Sequence, residues 1–262
     1  MVAKALGLTR LDLYLQFDRP LTQGERDQVR ELLLRRRNRE PLSYILGEAH
    51  FWNLVLKVGP GVLSPRSDTE CLIELAQPLL PKEPQEPNYR ILELGAGSLA
   101  ITLALAQEGK GMELQSLECS SEALIYAQEN LAKYQEDLAG RENRIKVTQS
   151  LGFAEADEGL VDLIVSNPPY IPQGEIEGLM KEVVQYEPAL ALDGGAEGLD
   201  FYPLLATEAQ RRLKRGGHLL FEHGYDQRPA LLELMKNYEQ LQLIEARDDY
   251  GGNPRAMLWQ KI

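Results

Sequence analysis

RILELGAGSLAITLALA, residues 90–106, is an apolar run that breaks on two glycines and resumes as an apolar helix. Gly95 and Gly97 stand where a strand gives way to that helix. Glycines there let the backbone approach a ligand closely and leave helix-end N–H groups free. A dinucleotide fingerprint needs a third glycine, but Leu99 follows Ser98, so a ligand without phosphate suits the loop better. Downstream the rhythm repeats. Strands are expected at Met112–Glu118, Arg144–Thr148, Val161–Ser166 and His218–Glu222, with helices at Leu99–Gln107, Ser121–Leu138, Gly198–Arg215 and Arg228–Asn237. Alternating β and α at this spacing predicts an α/β doubly wound parallel sheet. Two last strands, Leu241–Ala246 and Arg255–Lys261, are joined by too short a link for a crossover, so they form an antiparallel pair at one edge.

Upstream, residues 1–46 have the pattern of short helices, one of them capped by Thr22 and running into Arg35–Arg37. The segment from Phe51 to Leu63 alternates in part and meets Gly59-Pro60-Gly61, which predicts a small hairpin. Glu70–Leu79 is expected to be a helix. These readings divide the chain into a helical domain (1–46), a hairpin linker (47–65) and a catalytic α/β domain (66–262).

The 262 residues carry a formal net charge of −12, unevenly spread. Residues 1–50 hold nine Lys/Arg and seven Asp/Glu, which leaves 19 and 33 for the rest. So acidic a body repels phosphate backbones, which argues against a nucleic acid substrate. The sequence has no apolar run of 18 residues, and the N-terminus is interrupted by Lys4, Arg10 and Asp12, so neither a membrane span nor a secretory signal is expected. Two cysteines and three histidines without ligand spacing predict no metal and a reducing, cytoplasmic setting.

The chemistry concentrates at strand ends. Glu118 closes the second strand, where an acid accepts hydrogen bonds from a ribose diol. Glu93, at the end of the first, is a candidate to face the amino group of a methionine moiety. The segment VDLIVSNPPY, residues 161–170, is the most specific. It places Asn167 at the carboxyl end of an apolar strand, followed by Pro168, Pro169 and Tyr170. Both prolines fix φ and lack N–H groups, and each restricts the residue before it. The result is a stiff arm presenting acceptor oxygens. The Asn167 side-chain oxygen and the Pro168 carbonyl suit the two N–H bonds of a planar amide, whose lone pair they orient toward a methyl sulfonium. Tyr170 can stack on that amide. His223, in Glu222-His223-Gly224, is expected to be structural.

Glu93–Gly97, Glu118 and Asn167–Tyr170, with Pro65–Glu70 upstream, resemble the HemK/PrmC family of peptide chain release factor N5-glutamine methyltransferases. So do Glu40–Gly47, Phe51-Trp52, Phe221–Gly224 and Asp249–Gly252, and the likeness spans essentially the whole chain. The resemblance implies a seven-stranded, Rossmann-like methyltransferase sheet behind a helical domain. It implies S-adenosyl-L-methionine on Glu93, Leu94, Gly95, Ala96, Gly97, Glu118 and Asn167. It also implies a release factor as partner, the glutamine of its Gly-Gly-Gln motif lying on Asn167, Pro168, Pro169 and Tyr170. Three departures stand out: Leu99 where a glycine is usual, Leu151-Gly152 where an Asp-Trp pair is usual, and a short helical segment. The competing readings are an N6-adenine or other nucleic acid methyltransferase, which shares the Asn-Pro-Pro-aromatic arm, and a partner-binding relative without turnover.

Overall fold

A computed structural model describes residues 1–262. Four helices open the chain: α1 (Val2–Leu6), α2 (Arg10–Leu15), α3 (Gln23–Arg37) and α4 (Leu42–Leu46). Thr9 and Thr22 each begin a helix with a capping box, closed by Asp12 and Glu25 respectively. Each box satisfies two otherwise orphaned N–H groups at the helix start. No residue of α1, α2 or α3 is buried, so local capping and surface pairing carry more of their order than core packing does.

A two-stranded hairpin follows, β1 (Glu48–Phe51) and β2 (Leu54–Lys57). Its turn is Trp52-Asn53, with Trp52 at φ 52°, and not the Gly59-Pro60-Gly61 sequence that predicted it. That Gly-Pro-Gly segment has another use. A Cβ at Gly59 would meet the Tyr126 ring and one at Gly61 the Glu122 side chain, so the glycines let the chain pass close to a helix.

Beyond α5 (Glu70–Ala76) come β3 (Tyr89–Leu94), α6 (Ala100–Glu108), β4 (Met112–Glu118), α7 (Ser121–Leu138), β5 (Arg144–Gln149) and β6 (Val161–Ser166). A short α8 (Lys181–Tyr186) interrupts the rhythm before α9 (Phe201–Arg212), β7 (Leu213–Glu222), α10 (Arg228–Met235), β8 (Leu241–Asp248) and β9 (Pro254–Lys261). The main sheet has seven strands in the order β5-β4-β3-β6-β7-β9-β8. All pairings from β5 to β7 are parallel, and β9 runs antiparallel to both β7 and β8.

Side chains of β3 alternate between two cores. Ile91 joins the face covered by α5, α6, α7 and the hairpin, while Leu92 and Leu94 join the face covered by α9 and α10. Every residue from Ala100 to Ala106 is buried, as expected of a helix apolar all round and enclosed by neighbours. One boundary differs from expectation: α9 ends at Arg212, and Leu213–Gly217 belongs to β7. Gly216 lies at φ 82°, and the pairing with β6 shifts register between Val161 and Leu163, so this stretch is an irregular start to a strand.

Candidate active site

From β3 the chain winds outward through β4 to β5, then returns to the other side of β3 as β6 and continues to β7. The connections therefore diverge at the β3–β6 boundary, the place where open α/β sheets bind ligands at their carboxyl ends. Residues 93–97, Glu118 and Asn167 converge there. Gly95 and Ala96 donate their N–H groups to the Leu117 carbonyl at 2.9 and 3.1 Å. On the other side, a Cβ at Gly95 would sit 3.8 Å from the Asn167 carbonyl oxygen.

The loop is held by its acids. Glu118 accepts from the N–H of Gly97 at 2.8 Å through one oxygen and from that of Ser120 at 2.9 Å through the other. It thus ties the glycine turn to the start of α7. Glu93 is buried and accepts from the Thr102 hydroxyl at 2.6 Å, while its Oε1 is buried without a partner. Burial pushes the Glu93 carboxyl up to about 7, against the opposing pull of Thr102 and Ser116. Leu99 adopts the left-handed conformation, φ 67°, at the N-cap of α6, and its side chain is fully buried.

The arm Asn167–Tyr170 is fastened at both ends. Asn167 donates from Nδ2 to the Thr69 hydroxyl at 3.0 Å. Tyr170 donates its hydroxyl to Glu222 Oε1 at 3.1 Å, and its carbonyl accepts from Gln227 Nε2 at 2.8 Å. Arg255 reaches the Tyr170 oxygen at 3.5 Å and is itself held by Asp249 at 3.0 Å. Pro168 is buried, and the half-buried Tyr170 ring packs on the α9 face of the core. Behind the arm, Gly194 bonds Ile171 at 2.9 Å, and a Cβ there would come within 2.9 Å of the Pro169 carbonyl.

Glu222 lies at the centre of this arrangement, buried, with Oε2 unpartnered. Burial raises its carboxyl to about 7, opposed by the Thr69 hydroxyl, the Arg255 charge and the Tyr170 hydroxyl. Next to it, burial lowers the His223 imidazole to about 4, so the ring is neutral; its Nδ1 pairs with the Gly224 carbonyl at 2.7 Å. Thr69, Glu222, Gln227 and Arg255 were not singled out as site residues from sequence. Glu222 did carry a signal, since it ends a parallel strand as Glu118 does.

The basic stretch that ends α3 is partly engaged within the molecule. Arg35 pairs with Glu40 at 2.5 Å, and Arg36 pairs with Glu182 at 2.8 Å, joined there by Arg39 at 3.2 Å. With the Tyr186 hydroxyl on the Asn38 carbonyl at 2.8 Å, these contacts fasten α3 to α8. Leu151 projects to solvent, 85% exposed, past the end of β5.

Known proteins share these features. The PrmC N-terminal domain family matches residues 1–47, and the methyltransferase small domain family matches residues 72–196. Among solved structures, a methyltransferase from Pyrococcus furiosus superposes with a TM-score of 0.56 at 18% identity, over 90% of this chain and 98% of that one. A ribosomal protein L11 methylase from Lactobacillus delbrueckii gives 0.52 at 17%, over 79% and 84%. These likenesses establish the fold. Curated relatives are far nearer in sequence. The release factor glutamine methyltransferase of Geobacter sulfurreducens is 38% identical over 96% of this chain and 84% of its own length. That of Agrobacterium fabrum is 34% identical over 100% and 88%. With a glycine turn and an Asn-Pro-Pro-Tyr arm side by side on a seven-stranded sheet, and relatives this similar along nearly their full lengths, the chain belongs to the release factor glutamine methyltransferase family.

Proposed function

We propose that the chain transfers the methyl group of S-adenosylmethionine to the side-chain amide nitrogen of the glutamine in a release factor's Gly-Gly-Gln motif. The carrying observation is the Asn167–Tyr170 arm, fastened by Thr69, Glu222 and Gln227 directly beside the glycine turn. The cofactor supplies an electrophilic methyl on a sulfonium. Its adenosyl ribose suits Glu118, whose oxygens each have lone pairs beyond the ones given to Gly97 and Ser120. Its ammonium suits the unpartnered Glu93 Oε1, a buried acceptor that gains a cation when the ligand binds.

For the acceptor, the Asn167 Oδ1 and Pro168 carbonyl take the two amide hydrogens. That contact turns the nitrogen's lone pair toward the methyl and stabilises the positive charge that develops on nitrogen. A C–N bond forms as the S–C bond breaks, and the amide proton then leaves to water. The half-buried ring of Tyr170 flanks the flat amide while its hydroxyl stays tied to Glu222.

Partner recognition falls to the helical segment. Leu11, Tyr14 and Leu15 on α2 and Phe17 just past it are each at least 65% exposed, an apolar surface that a protein substrate would cover. The net charge of −12 opposes phosphate. The test is methyl transfer from labelled cofactor to release factor, DNA and rRNA, with wild type and Asn167→Ala. Label is expected on the release factor alone, and Asn167→Ala should lower the rate by on the order of 10²-fold. Preferential labelling of DNA or rRNA, or normal turnover by Asn167→Ala, would overturn the reading.

A further inference from the structure

We propose that Thr69 is a positioning residue that fixes the orientation of the Asn167 amide, and thereby sets the site to accept a carboxamide and reject a carboxylate. The inference rests on the reading of Asn167 as the residue that receives the acceptor amide. Thr69 ends a 3-10 turn, Ser67–Thr69, that runs directly into α5; its backbone is helical, φ −67° and ψ −18°, and its side chain caps no helix. The buried hydroxyl instead accepts from Asn167 Nδ2 at 3.0 Å, across 98 residues of sequence. A threonine with no local capping partner thus holds one atom of the strand-end arm.

That choice has a chemical consequence. The two ends of a primary amide differ: one oxygen accepts and one NH₂ donates. With the Thr69 hydrogen turned to the Glu222 carboxyl, its lone pairs select Nδ2, which leaves Oδ1 and the Pro168 carbonyl as the acceptors the arm offers. Acceptors bind the N–H bonds of glutamine and repel the oxygens of glutamate. If the Asn167 amide turned over, Nδ2 would replace Oδ1 and the distinction would weaken. The same Glu222 that takes the Tyr170 hydroxyl also feels the Thr69 hydroxyl.

The experiment uses the full chain with Thr69→Val, which keeps the shape and removes the hydroxyl, Thr69→Ala, which only deletes atoms, and Thr69→Ser, which restores the hydroxyl. Three quantities are read: adenosylmethionine affinity by calorimetry, kcat and KM on intact release factor, and inhibition by a release factor carrying Gly-Gly-Glu in the motif. Val and Ala variants should keep cofactor affinity within about twofold and lose about tenfold or more in kcat, the scale of one hydrogen bond. Their preference for the glutamine over the glutamate motif should fall by a similar factor, and Thr69→Ser should recover both. A valine or alanine variant with wild-type turnover and undiminished preference overturns the inference. So does a turnover loss that leaves the preference intact or that serine fails to rescue, because Thr69 is then only structural. Impaired Asn167→Ala beside normal Thr69→Val and Thr69→Ala removes the positioning role alone, whereas normal Asn167→Ala removes the functional reading beneath it.

Discussion

At Leu99 two residue-scale effects oppose each other. The left-handed conformation costs a non-glycine residue roughly 1–2 kcal/mol, and glycine would relieve it. Yet the side chain is fully buried beside α6, and deleting a buried leucine costs about 2–5 kcal/mol. Packing exceeds strain, which explains how this chain tolerates leucine where the family's glycine is usual. Leu99→Gly should therefore lower stability by about 2 kcal/mol, the difference of the mid-range values, in urea unfolding, and a stabilised variant would show that strain dominates. Glu118 has a double duty, holding Gly97 and Ser120 by their N–H groups at 2.8 and 2.9 Å. On the proposed reading, Glu118→Ala loses the ribose contact and slackens the loop together. Calorimetry should show adenosylmethionine affinity lower by roughly tenfold or more, the worth of a charge-assisted bond. Unchanged affinity in a folded Glu118→Ala would reassign the ribose.

Among the elements, legibility followed burial and local signals. Met112–Glu118, Ser121–Leu138 and Val161–Ser166 could be bounded from sequence, because apolar runs and charged helix faces alternate there without interruption. Legibility failed where tertiary contacts decide. The hairpin turns at Trp52-Asn53 because the following Gly-Pro-Gly serves packing against Tyr126 and Glu122. Leu213–Arg215 continues a helical pattern yet belongs to β7, with Leu213 paired to Val161 of β6. In the site, the arm and the glycine turn were visible as motifs. Thr69 and Arg255 were not, since each meets Tyr170 or Asn167 only across long sequence separations. The ion pairs of Arg36 and Arg39 with Glu182 were hidden for the same reason. They hold Glu182 down to about 2, with Arg36 the leading influence. Glu182→Gln should leave the sheet's hydrogen exchange unchanged while amides in the second half of α3 exchange faster. Equal protection of α3 in both proteins would mean the clamp contributes nothing to its order.

For the whole molecule, charge and surface point to different roles. Residues 1–50 are slightly basic and the remainder strongly acidic, which suggests electrostatic docking through the helical segment. Arg35, Arg36 and Arg39 are nevertheless engaged by Glu40 and Glu182, and the segment also exposes the apolar side chains Leu11, Tyr14, Leu15 and Phe17. A side-chain amide is a poor nucleophile, and binding energy collected far from the reacting nitrogen helps to position it. On this reading an isolated Gly-Gly-Gln peptide is a much poorer substrate than the intact release factor. Removing residues 1–46 is a blunt test, because Tyr44 and Ile45 are buried and the Tyr44 hydroxyl donates to the Val62 carbonyl at 2.6 Å. Substitutions at the exposed positions avoid that damage, since surface changes of this kind alter stability by about 0.5 kcal/mol or less. Combined Tyr14→Ser and Phe17→Ser should lower kcat/KM on the release factor by about tenfold, the loss of an aromatic contact or two. Peptide methylation should be unchanged, and the effect should persist at high salt because burial of apolar surface carries the contact. Equal catalytic efficiency on peptide and protein, or a double variant that methylates the release factor normally, would confine recognition to the arm.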